Sequence, residues 1–511
     1  MVQVAENTAK TPVRLGGFQK PALRRVDVRA LARRRVRAGF DSAETTDHNR
    51  RHWARADALS ADAAANPEVR RTLRNRARYE VANNSYARGI VLTLANDSVG
   101  TGPRLQMLSD DPFLNHTVET EFHSWAQAVG LSQKLRTMRM ARSQDGESFA
   151  VLAFNPFVEH DVQLDMLLVE ADQVASPWRH IQDEHEVDGL VLDDYGNPIA
   201  YRVMKNHPGS AYRMVFDDFT TVPAPAMIHV FRQDRPGQHR GIPEITPALP
   251  LFAQLRRFTL AVLSAAEAAA DFAGILYTDA PANGEAESVE PMDLIELERN
   301  MLMTMPGGWK MSQIEPMQPA TTYAEFKKEI LNEIARCLNM PFNIAAGNSS
   351  GYNYASGRLD HQTYFKSIRV DQAFTASRIL DRTLAAWLRE YAVLTRNRGL
   401  LHAIPPHQWF WDGFEHVDPA KEANAQETRL KNLSTTLAHE YSKQGLDWAR
   451  ISRSCTTCAL RPAVCGRPST YSHRTSIPRS CSRLSNACDG LVGRLGASVT
   501  STSLWRRLSA T

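Results

Sequence analysis

The apolar pattern changes period near Ala248, and that change limits what the chain can fold into. Residues 147–235 read mostly as strands. Ser148-Phe-Ala-Val-Leu-Ala-Phe154 and Leu164-Asp-Met-Leu-Leu-Val169 are short apolar runs of strand type. Gly189 to Val203 reads as a hairpin whose turn is Tyr195-Gly-Asn-Pro198. Ile228-His-Val-Phe231 is a further short strand. From Ala248 to Ala273 the pattern is that of a long helix rich in Ala and Leu, with Arg256 and Arg257 on it. A block of strands followed by a block of helices predicts an α+β fold.

Punctuation residues place the other elements. Arg50 to Ile90 reads helical, with Asn66 as a cap and Pro67 in the first turn. Val91 to Met107 carries Gly100-Thr-Gly-Pro103, a turn into a short strand. Asp111-Pro112 opens a helix through Ala128, with Phe122 and Trp125 on one face. Residues 279–291 read as a polar loop. Tyr323 to Leu338 is a helix closed by Met340-Pro341. Residues 341–357 read as a Gly/Ser/Asn loop, and Leu359 to Leu394 as a long helix around Trp387 and Leu388. Trp409-Phe-Trp411-Asp-Gly413 reads as an aromatic turn, and Asp418-Pro419 starts a last helix. No internal repeat of solenoid spacing is present.

With 511 residues, 43% of them hydrophobic, the chain can build roughly two to four domains. The first residues lack a basic segment followed by an apolar run, so no signal peptide is expected. The apolar stretch Leu260–Leu276 is interrupted by Glu267 and Asp271 and is too short to span a bilayer. Charge is unevenly spread. Residues 1–37 hold ten Lys/Arg against Glu6 and Asp27, a net +8. Residues 451–511 hold nine Arg against Asp489, again +8. With +4 in total, the residues between carry −12. Residues 1–40 therefore read as a basic arm, in which Arg33-Arg-Arg35 could touch nucleic acid, a scaffold or only solvent. The acidic body argues against a tight, all-over grip on DNA.

Five of the six cysteines lie in the last 61 residues: Cys455, Cys458, Cys465, Cys481 and Cys488. That tail has no lysine, is crowded with Ser, Thr and Arg, and lacks apolar periodicity. Cys455-x-x-Cys458 has no second closely spaced pair, so a zinc site is not expected. Without an export signal, neither is a disulfide framework. The residues after about Trp448 read best as translation in a shifted frame.

No motif supplies an active site. Gly347-Asn-Ser-Ser-Gly351 matches G-x-S-x-G in letters, but it follows a helix end and Met340-Pro341 instead of a strand, so it reads as a loop. There is no G-x-x-x-x-G-K-[ST], hence no P-loop ATPase. Asp145-Gly-Glu147 reads as a turn into a strand more readily than as a metal pair. His180, His185, His207 and His229 lack metal spacing. Trp409 and Trp411 could stack on bases but read better as core packing. No metal and no cofactor is expected.

One ordered series of motifs remains. It runs Gly100-Thr-Gly102, Arg142-Ser-Gln-Asp-Gly-Glu147, Asp194-Tyr-Gly-Asn-Pro-Ile-Ala-Tyr201 and His229-Val-Phe-Arg-Gln-Asp-Arg-Pro236. It continues with Arg240-Gly-Ile-Pro-Glu-Ile-Thr-Pro247, Pro306-Gly307, Tyr323-x-x-Phe326, Asn339-Met-Pro-Phe342, Asn353-Tyr-Ala-Ser-Gly-Arg358 and Asp418-Pro-Ala-Lys-Glu422. In this order, from about Asp41 to Trp448, the chain resembles the lambda-type family of tailed-phage portal proteins. The tail after about Trp448, beyond the crown-like region, departs from that pattern.

The resemblance implies a non-enzymatic subunit with long stem and wing helices and a β-rich wing. About twelve such subunits close head to tail into a ring at one capsid vertex. Its partners would be the large terminase, the major capsid and scaffold or protease proteins, the neck or tail connector, and double-stranded DNA in the channel. Its place would be the virion, and the host cytoplasm during assembly. Mapped here, residues 41–240 resemble the wing, 241–273 a stem helix and 274–320 the clip. Residues 321–340 resemble a second stem helix, 341–357 the tunnel loop, and 358–448 the long wing helix and crown. The DNA-channel candidates are Arg256, Arg257, Asn348, Ser349, Asn353, Arg358, Lys366 and Arg369. A channel must let DNA slide, so few placed cations suit it better than a basic surface. The alternatives are a monomeric DNA-binding protein, which would bind tightly and with strong salt dependence, and a capsid-associated nuclease or protease, which would need a clustered catalytic constellation.

Overall fold

The computed structural model describes residue 47 and residues 50–441, apart from 177–184, 211–217, 272–274, 279–308, 313–322, 398, 403, 414–418 and 438–439. The basic arm, the polar loop at 279–291 and the cysteine-rich tail lie outside the described residues.

Asn66 caps α1 (Pro67–Asn83) as expected: its Oδ1 accepts the Val69 N–H at 3.0 Å, and Pro67 sits in the first turn. The helix does not run unbroken to Ile90. Asn84 takes an extended conformation, ends α1 and caps α2 (Ser85–Val99) by accepting from the Tyr86 and Ala87 N–H groups. Helix α2 then continues past Ile90, because Leu94, Ala95 and Val99 carry the same buried face onward. Gly100, at φ 60°, stops it, and the chain enters β1 (Arg104–Met107).

Asp111 caps α3 (Pro112–Ala128), accepting from Phe113 N at 2.9 Å and Leu114 N at 3.1 Å. Helix α4 (Leu131–Asp145) was not expected from the sequence. Leu131, Leu135 and Met138 do follow the helical period, but Arg139 and Arg142 share the buried side and disguise it.

Two antiparallel sheets follow. β2 (Glu147–Phe154) pairs with β3 (Leu164–Val169) on one edge and with β8 (Met227–Phe231) on the other. β4 (Glu186–Val187), β5 (Leu190–Leu192), β6 (Pro198–Met204) and β7 (Phe219–Pro223) form the second sheet in that order. The expected hairpin is present. Asp193 tightens its turn by accepting from the Tyr195 and Asn197 N–H groups.

The second half is helical. α5 (Leu249–Asp271) leads to β9 (Ile275–Thr278), which pairs antiparallel with β10 (Trp309–Ser312) ahead of α6 (Tyr323–Arg336). Phe258 of α5 stacks on Tyr323 and packs against Phe326 of α6. The segment 341–357 is only partly a loop. Phe342–Ala346 forms a short helix, α7, because Phe342, Asn343 and Ala345 are buried, and α8 (Tyr354–Thr375) starts at the Asn353 cap. Residues 347–353 are left as the loop. The long helix contains a π turn at Ala376–Leu380 before α9 (Asp381–Leu394). That turn shifts the helical phase, so α8 buries Tyr364 and Ile368 in one core while α9 buries Leu384, Trp387 and Leu388 in another. Trp409 lies in a strand and not in a turn: β11 (His407–Phe410) pairs with β1, Trp409 opposite Leu105. Core packing is the role of both tryptophans, since Trp409 and Trp411 lie against the Phe122–Trp125–Trp387 cluster. The last helix, α10, is Pro419–Lys431.

Three apolar clusters result. The first surrounds Trp125 and Trp387, whose neighbours include Val118, Leu135 and Val230. The second joins α2, α5, α6, α7 and α8 through Ile90, Phe252, Ile334, Phe342 and Tyr364. The third is a small core between the sheets, with Phe149, Leu190, Tyr201 and Met227. Among the described residues no helix is long and apolar enough to cross a membrane.

Candidate channel surface and the ionic scaffold behind it

Two of the sequence motifs interlock. Gly146 ends α4 at φ 91°, and a side chain there would lie 2.6 Å from Pro243 N. A Cβ on Gly241 would lie 2.9 Å from Glu147 Cβ and would strike the Gly146 carbonyl oxygen. Asp145-Gly-Glu147 is thus a turn into a strand, as read, and Arg240-Gly-Ile-Pro-Glu244 lies directly on it.

The carboxylates of that turn are buried among guanidinium groups. Glu147 is fully buried. Its Oε1 accepts from Arg240 Nη2 at 2.7 Å and from Arg74 Nη2 at 3.1 Å. Its Oε2 accepts from Arg240 Nε at 2.9 Å and Gly241 N at 3.0 Å, and lies 3.2 Å from His229 Nε2. Burial alone would raise the Glu147 pKa. Arg240 and the His229 hydrogen bond overcome that and hold it well below the usual carboxylate range. Burial lowers His229, against the pull of Glu147, and favours a neutral ring. A carboxylate only accepts, so the Nε2–H of that neutral ring donates to it. Arg240 also donates to the Val174 carbonyl at 3.0 Å and pairs with Asp188 at 3.2 Å. Burial and the nearby Arg240 charge bring Arg70, the other partner of Asp188, down to about 10.

A second knot lies one turn of α4 away. Glu244 accepts from Arg139 Nη1 at 2.9 Å and Arg142 Nε at 3.0 Å. Both arginines also pair with Asp371 of α8, Arg139 at 2.7 Å. Burial opposes the charge on Glu244, but Arg139 and Arg142 bring its pKa down to about 2. Between the knots, Arg78 holds Asp145 at 2.6 Å and shares Asp172 with Arg74. The lattice lies where the three cores meet, with Met138, Ile245 and Phe149 each belonging to a different one. Sequence reasoning missed it. The one local signal was Arg70, Arg74 and Arg78 at every fourth residue of α1, a single helical face.

Glu170, Asp172 and His207 also come together, with ligand atoms within 4.8 Å of one another. Both Asp172 oxygens already accept from guanidinium groups, at 2.5 and 2.7 Å. The neighbouring charge is positive, which suits an ion-pair knot and opposes a bound cation.

The channel candidates lie on α5, in the 347–353 loop and on α8. Arg257 is exposed on α5. Arg256 beside it points elsewhere, pairing with Glu80 at 2.6 Å and lying over the Tyr79 ring. Asn348, Ser349 and Asn353 are exposed in the 347–353 loop, where Asn348 accepts from Ser350 N and Asn353 caps α8. Arg358, Lys366 and Arg369 are exposed on α8, eight and eleven residues along, on one face away from buried Tyr364 and Ile368 and from Asp371, which pairs with Arg139. Arg257, Arg358, Lys366 and Arg369 have no ion pair among the described residues. The fold thus buries a lattice of paired charge and leaves a short cationic stripe in solvent.

Residues 47–372 match the phage portal protein, lambda family. The chain belongs to that family, whose members are structural proteins. It is 24% identical over 469 residues to a probable portal protein of Halomonas phage phiHAP-1, covering 84% of this chain and 88% of the relative. Among solved structures it is similar to a chain from the virion of a native gene transfer agent particle, at 13% identity and TM-score 0.45, covering 73% of this chain and 92% of that one. A chain from the neck of the native particle, computed with C12 symmetry, gives 14% identity and TM-score 0.44, covering 74% and 94%. The role of this chain is that of the portal at the capsid vertex, the expectation its motif order carried.

Proposed function

We propose that about twelve copies of this chain close head to tail into the ring through which double-stranded DNA is packaged and ejected. The family match over residues 47–372 carries the reading. In this reading residues 41–240 are the outer wing, and α5 and α6 are the two stem helices. The region 274–320 between them is the clip, which docks terminase and later the neck; it contains the paired strands β9 and β10. The 347–353 loop is the part of 341–357 nearest the DNA, and the long helix from Tyr354 leads out into the wing and crown.

The charge layout supports passage of DNA. Each phosphate neutralised adds affinity and salt dependence, so a sliding channel needs few free cations. Here most guanidinium groups of the wing are tied to carboxylates, while Arg257, Arg358, Lys366 and Arg369 face solvent. The ring needs no cofactor and no catalytic residue. It would assemble in the host cytoplasm with capsid and scaffold or protease proteins, and remain in the virion.

Electron microscopy of the purified full-length chain under assembly conditions tests this. Rings with a central hole are the expected result. A chain that stays monomeric across concentration and salt would overturn the reading.

A further inference from the structure

The β2–β3 hairpin carries an apolar knob at one end and borders an apolar groove at the other. At the tip, Phe154 is 69% and Phe157 89% exposed. The tip is held in shape. Asn155 Nδ2 donates to Asp165 Oδ2 at 2.9 Å, the Phe157 N–H donates to Asn155 Oδ1 at 3.1 Å, and Val162 is fully buried. Glu159 and Asp161 follow the two rings in the same tip and are exposed.

At the far end, α1, α2, α4 and β3 enclose an open groove of about 610 Å³. Val81, Leu92, Met140, Ala141 and Leu168 supply its apolar walls, and Leu92 and Leu168 are themselves partly exposed. Arg88 stands on its rim, exposed and without an ion pair among the described residues. This is the size of a concave site that receives a compact apolar group.

A chain cannot fill its own groove with its own knob. Phe149 at the groove pairs with Val169, and Phe154 near the tip pairs with Leu164, on the same two strands. Five residues of strand separate those ends, about 17 Å at the usual rise.

The geometry points to the Phe154–Phe157 tip of one copy seating in this groove of the next copy. The contact rests on the ring reading above and specifies it, since a knob and groove at opposite ends of one rigid element make a heterologous, head-to-tail contact. The acidic flank of the tip faces Arg88 on the rim, which favours this orientation over its reverse. A rigid tip with aromatic anchors loses little conformational freedom on docking.

The test replaces Phe157 with a benzophenone-bearing phenylalanine in the full-length chain and irradiates it under assembly conditions. Ladders of cross-linked oligomers are expected, with adducts mapping by mass spectrometry to residues 81–92, 137–141 or 167–170 of a second copy. Rings visible by electron microscopy with adducts elsewhere, or with none, would sink the contact and leave the ring reading standing. No rings from the unsubstituted chain under the same conditions would overturn both. Charge reversal gives an independent readout. Arg88→Glu and the pair Glu159→Arg with Asp161→Arg should each lower ring yield about tenfold, and their combination should restore it. Ring yield left unchanged by both reversals would overturn the contact. Phe157→Ala should melt with the native chain, because the side chain is exposed in the subunit, and yet assemble poorly.

Discussion

Arg240 and Glu147, 93 residues apart in sequence, form a two-point buried ion pair: Nη2 to Oε1 at 2.7 Å and Nε to Oε2 at 2.9 Å. The pair fastens the start of the helical half to the root of the central sheet. Removing one partner leaves a buried charge without its main counterion, and breaking such a pair costs about 3–5 kcal/mol. Arg240→Met should therefore lower the unfolding free energy measured in urea strongly, while Arg71→Met, at an exposed pair with Glu68, should change it by less than about 1 kcal/mol. Equal effects of the two substitutions would show that the lattice does not hold the fold.

The same lattice predicts acid sensitivity. Glu147 is held well below its ordinary 4.5, and Glu244 is brought down to about 2. Between those values the unfolded chain takes up protons that the folded chain does not, so unfolding gains ground as pH falls. The contribution is fully present above pH 4.5 and is lost as pH drops towards 2. His229 acts in the same direction and earlier, because burial lowers it from 6.5 and the unfolded ring charges first. Melting temperature followed from pH 7 downward should begin to fall below about 6.5 and fall steeply below 4.5. Glu244→Gln should flatten the lower limb, and an unchanged lower limb would count against Glu244 as its source.

The two glycines where the motifs cross give a steric prediction. Gly241→Ala must displace the Gly146 carbonyl or the side chain of Glu147, which Arg74 and Arg240 already hold. Overpacking of this kind costs about 1–3 kcal/mol. Gly130→Ala has open space around the added methyl and only a φ of 63° to tolerate, so about 1 kcal/mol or less is expected. Comparing their denaturation midpoints separates the close approach from backbone strain.

Local features of the fold were legible in the sequence. Asn66, Asp111 and the Tyr195-Gly-Asn-Pro198 turn act through residues two to four positions away, and they stand where they were read. The period change near Ala248 separated the sheets from the helices. What stayed hidden acts over long range. Arg139 meets Asp371 across 232 residues, and a buried arginine looks in sequence like any surface charge. The same confusion concealed α4, whose inward face is part arginine, and the burial of Phe342 concealed the helix in 341–357. Arg256 and Arg257 are adjacent and chemically alike, and only the position of Glu80 on α1 tells them apart.

That difference makes the channel assignment testable. Neutralising Arg358, Lys366 and Arg369 together removes exposed cations from one face of α8 without touching the buried side that holds Tyr364 and Asp371. Ring formation and melting should be unchanged. DNA packaged per particle should fall, and residual binding of DNA to the ring should lose roughly one phosphate contact's salt dependence for each cation removed. Arg256→Gln should behave in the opposite way. It breaks a half-buried pair with Glu80, so it should lower stability by about 1 kcal/mol and leave the salt dependence alone. If the triple variant packages DNA normally while Arg257→Gln does not, the channel wall runs along α5 and not along α8.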